Sequence, residues 1–206
     1  MPVLRAKEKK ERALGAKLFL KAERCSSPKC ATVRRPQRPG QHGKARRRPL
    51  SEFGTQLLEK QRIRVSYGLQ EIQLGNIFKE ALSRPGNISE SIMQMLEARF
   101  ANAVYRAGLA PSRIVARQVI NHGHILVNGK KISSPSYQVR VGDVISVNPG
   151  SRESMLFKEL PEILKKYETP KWISLDREKF EATIKSMPYD FDVPFDINMV
   201  VDYYSK

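Results

Sequence analysis

The amino-acid sequence predicts an α+β protein: a mostly helical domain with an extended basic N-terminal arm, plus an inserted module of two helices and a β-hairpin. Apolar residues recur at helical spacing in several stretches after residue 50, which predicts amphipathic helices. Asn128-Gly129 separates two short apolar runs, and this dipeptide is typical of a hairpin turn. Residues 1–68 contain 19 Lys+Arg and only 5 Asp+Glu, which predicts a strongly basic N-terminal segment.

The predicted arm spans residues 1–50. It contains the clusters Arg34-Arg35-Pro36 and Arg46-Arg47-Arg48-Pro49, and it has few large apolar residues outside positions 14–20. Such a composition buries too little apolar surface to offset the conformational entropy of folding. We therefore expect a largely irregular segment that becomes ordered on its partner.

Three helices are predicted between the arm and residue 108. Ser51 is a good N-cap for the first, which ends near Tyr67. The second has an amphipathic face formed by Leu74, Ile77, Phe78, Ala81 and Leu82. The third has an apolar stripe that begins after Asn87, continues through Val104 and ends at Gly108.

The module follows directly. Ser112 caps a helix that Gly123 ends, and the next residues predict a strand, a type I′ turn and a return strand up to Val147. Beyond it we expect a helix from Pro161, a short strand after it, and a terminal helix in an acidic tail. The predicted domains are thus the arm (1–50), the helical domain (51–95 with 159–206) and the module (96–158).

The overall charge narrows the class of partner. The formal net charge is +16 and the isoelectric point is near 10.0, which favours a polyanionic partner over a small neutral substrate. Only two cysteines are present, so the fold does not depend on disulfides. No stretch approaches the roughly 20 apolar residues needed to span a membrane, and the first residues lack the apolar core of a secretory signal. We expect an intracellular protein without a membrane partner.

Several short motifs occur in a recognisable order along nearly the whole chain. They are Pro39-Gly40-Gln41-His42-Gly43, the stretch Leu57 to Arg64 with Glu59-Lys60-Gln61 in it, Val104-Tyr105-Arg106, Ala116-Arg117-Gln118, His122-Gly123-His124, Val127-Asn128-Gly129, Pro135-Ser136-Tyr137 and Tyr204-Ser205-Lys206. In this register the sequence resembles the bacterial-type family of small-subunit ribosomal proteins called S four, with its embedded RNA-binding module.

The resemblance implies a non-enzymatic protein that binds the 5′ domain of small-subunit rRNA at a junction of several RNA helices and nucleates subunit assembly. It also implies a position near the mRNA entry path, beside the ribosomal protein S five, and a contribution to decoding accuracy. The expected location is the cytoplasmic ribosome, and an organellar ribosome stays open. The alternative is a stand-alone RNA-binding protein, or an accessory RNA-modification factor with the same module.

The residues expected to bind RNA are mainly arginines and lysines, because a guanidinium grips phosphate in two places and any cation releases condensed counterions. Glycines in the motif allow the backbone to approach the RNA closely. The candidates are Arg34, Arg35, Arg38, Gly40, Gln41, His42, Gly43, Lys44, Arg46, Arg47, Arg48, Lys60, Arg62, Arg64, Arg99, Arg106, Arg113, Arg117, Lys130 and Lys131. For Arg99 and Arg106, pairing with Glu97 or Asp143 is the alternative.

No catalytic residues and no cofactor are expected. The spacing of Cys25 and Cys30 resembles half of a metal knuckle, and the resemblance implies that some family members hold zinc here through four cysteines. The two upstream positions are Glu8 and Glu11 in this chain. A structural zinc site strongly favours thiolate and imidazole ligands. We therefore predict two reduced thiols and no metal. If a metal bound, Cys25 and Cys30 would be its candidate ligands, with Glu8 and Glu11 or His42 as less suited additions.

Overall fold

The computed structural model describes residues 7–45, 48–189, 191 and 193–205, and it divides into two compact units. One unit comprises the described residues of Met1–Ile92 and Asp192–Lys206, and the other comprises Met93–Phe191. Helices occur in both units and a sheet in the second, so the prediction of a mixed helical and sheet protein is confirmed.

The N-terminal part of the first unit is more ordered than predicted. It contains the short helices α1 (Lys7–Leu14), α2 (Glu23–Ser26) and α3 (Ala31–Arg34). The side chains of Leu18, Leu20, Cys25 and Cys30 are almost fully buried. The prediction of a largely irregular arm was therefore wrong for residues 7–34, because short helices form there and these four scattered apolar side chains are buried. Among the described residues that follow, 35–45 and 48–50 contain neither helix nor strand.

Two longer helices follow, and both were predicted. In α4 (Glu52–Ser66), the Ser51 hydroxyl accepts a hydrogen bond from the Gly54 N–H at 3.2 Å and so caps the helix. Helix α5 (Glu71–Leu82) buries its apolar face, which consists of Leu74, Ile77, Phe78 and Ala81.

The apolar stripe that predicted one long helix is instead divided between α6 (Ile88–Glu97) and α7 (Phe100–Arg106). Between them Arg99 adopts an extended backbone and bridges to Gln138. The Phe100 N–H donates to the Tyr137 carbonyl at 2.8 Å. This long-range backbone pairing replaces intrahelical hydrogen bonds. Because the partner residues are distant in sequence, no local signal indicates the break between α6 and α7. Helix α8 (Arg113–Asn121) begins after the Ser112 cap, as predicted.

The predicted hairpin is confirmed within a larger antiparallel sheet. Strands β1 (Ile125–Val127) and β2 (Lys130–Lys131) flank a turn in which both Asn128 and Gly129 have positive φ, at 50° and 74°. Along the chain follow β3 (Val144–Val147), a 3-10 turn (Pro149–Ser151), α9 (Leu160–Lys166), β4 (Ile173–Asp176) and β5 (Glu181–Ile184). The strand order is β2-β1-β3-β5-β4.

Residues 159–191 lie in the second unit, whereas the sequence assigned them to the helical domain. Strand β5 pairs with β3, with Ile145 opposite Ala182. Leu164 and Trp172 are buried in the same core as α7, α8 and the sheet. The predicted boundary at 158 was wrong because β5 has no turn-flanked apolar pattern, and only its pairing with β3 reveals it.

The last described element, α10 (Ile197–Ser205), packs on α4 in the first unit, as predicted for the terminal helix. The ring of Tyr204 stacks on buried Phe78, with 4.4 Å between centroids. The first unit is thus built from two distant stretches of chain. None of the helices in the described ranges is both long and apolar enough to cross a membrane.

Candidate nucleic-acid interface

A tight turn shapes the surface of the first unit around residues 38–43. The Gly43 N–H donates to the Gly40 carbonyl at 3.2 Å, and Gly40 has a φ of 106°. A Cβ atom on Gly43 would lie only 2.0 Å from the Arg38 carbonyl oxygen, so the close approach of the two backbone segments requires glycine. Exposed side chains surround the turn, namely those of Arg34, Arg35, Gln41, His42, Lys44 and Arg48. The predicted contacts Arg46 and Arg47 lie outside the described residues.

The turn is fastened to α1 by a residue that the sequence analysis missed. The Arg12 guanidinium donates through Nε and Nη2 to the Gln37 carbonyl, at 3.0 and 2.8 Å. It also reaches the Arg38 carbonyl at 3.5 Å. A single arginine on a short basic helix gives no sequence signal for this long-range role. Arg12 therefore positions the basic turn and is engaged with backbone rather than displayed to a ligand.

The three candidates on α4 have partners within the first unit. Lys60 is buried, and its ammonium donates to Glu71 Oε1 and, at 3.2 Å, to the Tyr203 hydroxyl. Arg62 donates to the Leu14 carbonyl and pairs with Glu59, and Arg64 donates to Gln61. Lys60 was thus expected at the surface and is found in the interior. Helical spacing alone does not reveal which cations of a basic helix face inward.

Replacing Lys60 with methionine should loosen α10 without weakening RNA binding. The change keeps the apolar stem but removes the ammonium, which lies 4.3 Å from the Tyr203 ring centroid. We expect the free energy that holds α10 in place to fall by about 1–2 kcal/mol, which is typical of a charge-assisted hydrogen bond with a cation–π contact. Amide hydrogen exchange in α10 should accelerate roughly tenfold. Lys79→Met, at an exposed position of α5, is the matched control. A weakened RNA affinity in the Lys60 variant alone would contradict the internal role.

A buried carboxylate organises two of the module's arginines. Glu97 is 1% exposed, and its two oxygens accept from Arg106 Nε and Nη2 at 2.9 and 3.0 Å. Arg113 lies 3.7 Å from the same carboxylate and donates to Asn102 Oδ1 at 2.6 Å. Arg106 is therefore paired with Glu97, which is the alternative that the sequence left open. Both arginines were predicted to bind RNA. In the structure their contacts with Glu97 and Asn102 connect α6, α7 and α8.

The other two arginine candidates of the module are Arg99 and Arg117, and the charge of Arg117 acts on Arg99. Burial lowers the pKa of Arg99, and the neighbouring charge of Arg117 lowers it further. Burial also lowers the pKa of Arg117. Within the described residues, no carboxylate lies within 4.0 Å of the Arg99 guanidinium. Two partly desolvated cations whose charges act on each other favour binding of an anion.

The two lysines of the hairpin are exposed on β2, at the edge of the sheet. The side chain of Lys131 passes over Gly123, where an added Cβ would lie 1.8 Å from Lys131 Cε. Gly123 therefore both ends α8 with a φ of 74° and makes room for that lysine. Lys131 is held against the end of α8, whereas Lys130 projects from the turn.

Neither cysteine belongs to a metal-binding group formed by the described residues. Cys25 and Cys30 are both fully buried free thiols. No cluster of three or more His, Cys, Asp or Glu suited to a metal ion occurs among the residues that the structure describes.

Two protein-family models match the chain. The model described as the ribosomal protein S4/S9 N-terminal domain matches residues 3–97, and that of the S4 domain matches residues 99–145. The second range contains α7, α8 and the hairpin. It includes Arg99, which directly precedes α7, as well as Arg117 and the two lysines of the hairpin.

Curated relatives align over almost their full length. The small ribosomal subunit protein uS4 of Gloeobacter violaceus is 47% identical over 197 residues, which cover 95% of this chain and 94% of the relative. The uS4 protein of Halothermothrix orenii is 46% identical over 194 residues, covering 93% of each chain. The uS4 protein of Thermus thermophilus is 43% identical, again over 93% of each chain.

Proposed function

The chain belongs to the uS4 family of small ribosomal subunit proteins, and from that premise we propose that it is a structural component of the small subunit that binds rRNA directly. Its relatives are ribosomal structural proteins rather than enzymes, and the proposed function includes no catalytic step. The proposed location is the cytoplasmic ribosome.

The observation that supports RNA binding best is the Arg99 and Arg117 pair in the second unit. Arg99 has no carboxylate within ion-pairing distance in the described parts of the chain, and its guanidinium is partly desolvated. A phosphate between two guanidinium groups relieves their mutual repulsion and accepts hydrogen bonds in their planes. The proposed ligand of the pair is therefore an RNA phosphate.

The proposed contact surface is smaller than the set that the sequence suggests. In the first unit it comprises the exposed cations around the turn, with the glycines allowing a close backbone approach. In the second unit it comprises Arg99, Arg117, Lys130 and Lys131. Lys60, Arg62, Arg106 and Arg113 are assigned to internal support, because each has protein partners in the described structure.

The finer part of the proposal concerns where the protein acts. We infer binding to the 5′ domain of the rRNA at a multi-helix junction, an early role in assembly, and a position beside the ribosomal protein S five near the mRNA entry channel. A junction brings many phosphates together, and dispersed arginines are suited to neutralising them. The alternative, an accessory RNA-modification factor, is disfavoured because ribosomal relatives align over 93–94% of their own length.

Neutralising the exposed arginines of the first unit should weaken binding to a 5′-domain transcript and reduce its salt dependence. In the variant Arg34→Gln, Arg35→Gln, Arg48→Gln, affinity should fall roughly 100-fold and the slope of log K against log salt should flatten by about 2–3. Filter binding at several salt concentrations measures both quantities. The matched control neutralises Lys165, Lys166 and Lys171, three exposed cations of the second unit outside the proposed surface.

The same assay tests whether the binding is specific to RNA. The unmodified protein should bind the transcript far more tightly than duplex DNA of equal length at the same salt concentration. Equal affinity for the two polymers, or an equal loss in the control variant, would refute the proposed surface and leave only non-specific attraction by charge.

A further inference from the structure

Glu11, on α1, is completely buried although it is a carboxylic acid. Its Oε1 accepts hydrogen bonds from the N–H groups of Leu18 and Leu20, both at 3.1 Å. Its two oxygens also lie 4.0 and 3.9 Å from the Cys25 sulfur, which donates weakly. A buried carboxylate is costly unless such donors surround it. Here the donors come from the loop after α1 and from α2, so one side chain joins three pieces of chain.

Zinc-binding members of the family are expected to have cysteines at the positions of Glu8 and Glu11. The residues present do not fit such a site. Glu8 faces two cations, with Arg24 Nε at 2.8 Å and Lys21 Nζ at 3.7 Å. Oε1 of Glu11 already accepts hydrogen bonds from two backbone N–H groups. Structural zinc also strongly prefers sulfur and nitrogen ligands, so two thiols alone would be left.

The two thiols have protein partners of their own. The Cys25 sulfur accepts from the Lys21 N–H at 3.3 Å, and the Cys30 sulfur lies 2.9 Å from the Thr32 hydroxyl oxygen. Burial, together with the nearby charge of Glu11, raises the pKa of the Cys25 thiol.

We propose that the Glu11 carboxylate takes the place of a structural metal ion, so that residues 7–38 fold around it without zinc. The backbone donors that close on Glu11 fix the loop after α1. The next residue, Arg12, fastens the basic turn through Gln37. Glu11 is in this sense a positioning residue for the exposed arginines of the first unit.

Amide hydrogen exchange on the full-length protein tests the idea at the two donors themselves. The Leu18 and Leu20 amides should be protected in the purified protein, and a zinc chelator should leave their protection unchanged. Glu11→Ala should accelerate both by at least tenfold. Glu8→Ala, which removes only the more peripheral ion pairs, should change them much less. Elemental analysis should find far less than one zinc per chain.

A second variant keeps the test decisive if Glu11→Ala fails to fold. Glu11→Gln retains a carbonyl oxygen that can accept from both amides, so it should preserve most of their protection. A metal-ligand role would be lost in that variant. The proposal is overturned by near-stoichiometric zinc whose removal exposes the two amides, or by a Glu11→Ala protein that keeps both of them protected.

The reverse substitution gives a gain of function. In Glu8→Cys, Glu11→Cys, four cysteines should bind zinc, and protection at Leu18 and Leu20 should now disappear in chelator. If the double variant stayed protected without zinc, the carboxylate would be unnecessary and the proposal would fail. These exchange measurements test Glu11 separately from the proposed RNA-binding function. If neutralising the exposed arginines did not weaken RNA binding, the expected exchange rates at Leu18 and Leu20 would be the same.

Discussion

Replacing Glu97 with alanine is expected to destabilise the second unit by about 3–5 kcal/mol, the usual cost of removing one partner from a buried ion pair. Glu97 is 1% exposed and faces Arg106, Arg113 and the Asn102 side chain. Without it, two largely buried guanidinium groups lose their counter-charge. The contacts that join α6, α7 and α8 are lost at the same time.

The loss can be measured by urea unfolding followed through tryptophan fluorescence. The chain has a single tryptophan, Trp172, which is buried in the same unit and therefore reports on it specifically. Glu178→Ala, an exposed carboxylate in that unit, should change stability by no more than about 0.5 kcal/mol. A loss below about 1 kcal/mol in the Glu97 variant would show that the ion pairs are not structural.

Truncating Phe100 to alanine should have a similarly large effect, about 3–5 kcal/mol, because it empties a filled position in the core. The ring is fully buried and meets Tyr137 edge to face, with 6.2 Å between centroids. Phe100 is also the first residue of α7, and its backbone N–H donates to the Tyr137 carbonyl. The substitution should therefore also loosen the neighbouring Arg99.

Trp172 fluorescence again reports on the correct unit. Leu156→Ala is the control, since that side chain is 55% exposed and its truncation leaves no cavity. Binding to the 5′-domain transcript should weaken in the Phe100 variant at temperatures where it is still folded. Unchanged stability would mean that the residues around position 100 repack, and it would contradict the tight core inferred here.

Local signals predicted much of the fold. Ser51 and Ser112 cap the helices that follow them, and Asn128-Gly129 forms the expected turn, because each depends on interactions within a few residues. The failures all involve distant partners. Strand β5 exists through its pairing with β3, and α6 separates from α7 because Ala98 and Phe100 pair with residues 139 and 137.

The sequence predicts that the candidate interface is positively charged. It does not predict which of the cations are exposed on that interface. Composition indicated a basic protein, and the cation-rich segments follow directly from the sequence. Which cations are internal depends on carboxylates far along the chain, such as Glu71 for Lys60. Glu97 and Arg106 were recognised as one possible pair, but the part played by Asn102 and Arg113 required the packing of α7 against α8.

The placement of α10 gives the order of synthesis a physical consequence. A ribosome releases the chain from its N-terminus, so α4 and α5 emerge long before the helix that covers them. Until residues 197–205 appear, Phe78 lacks its stacking partner Tyr204, and the Lys60 ammonium lacks the Tyr203 hydroxyl. The second unit, in contrast, is a continuous stretch and can fold earlier. A chain that stops before α10 would leave this apolar surface exposed and would be a substrate for proteases.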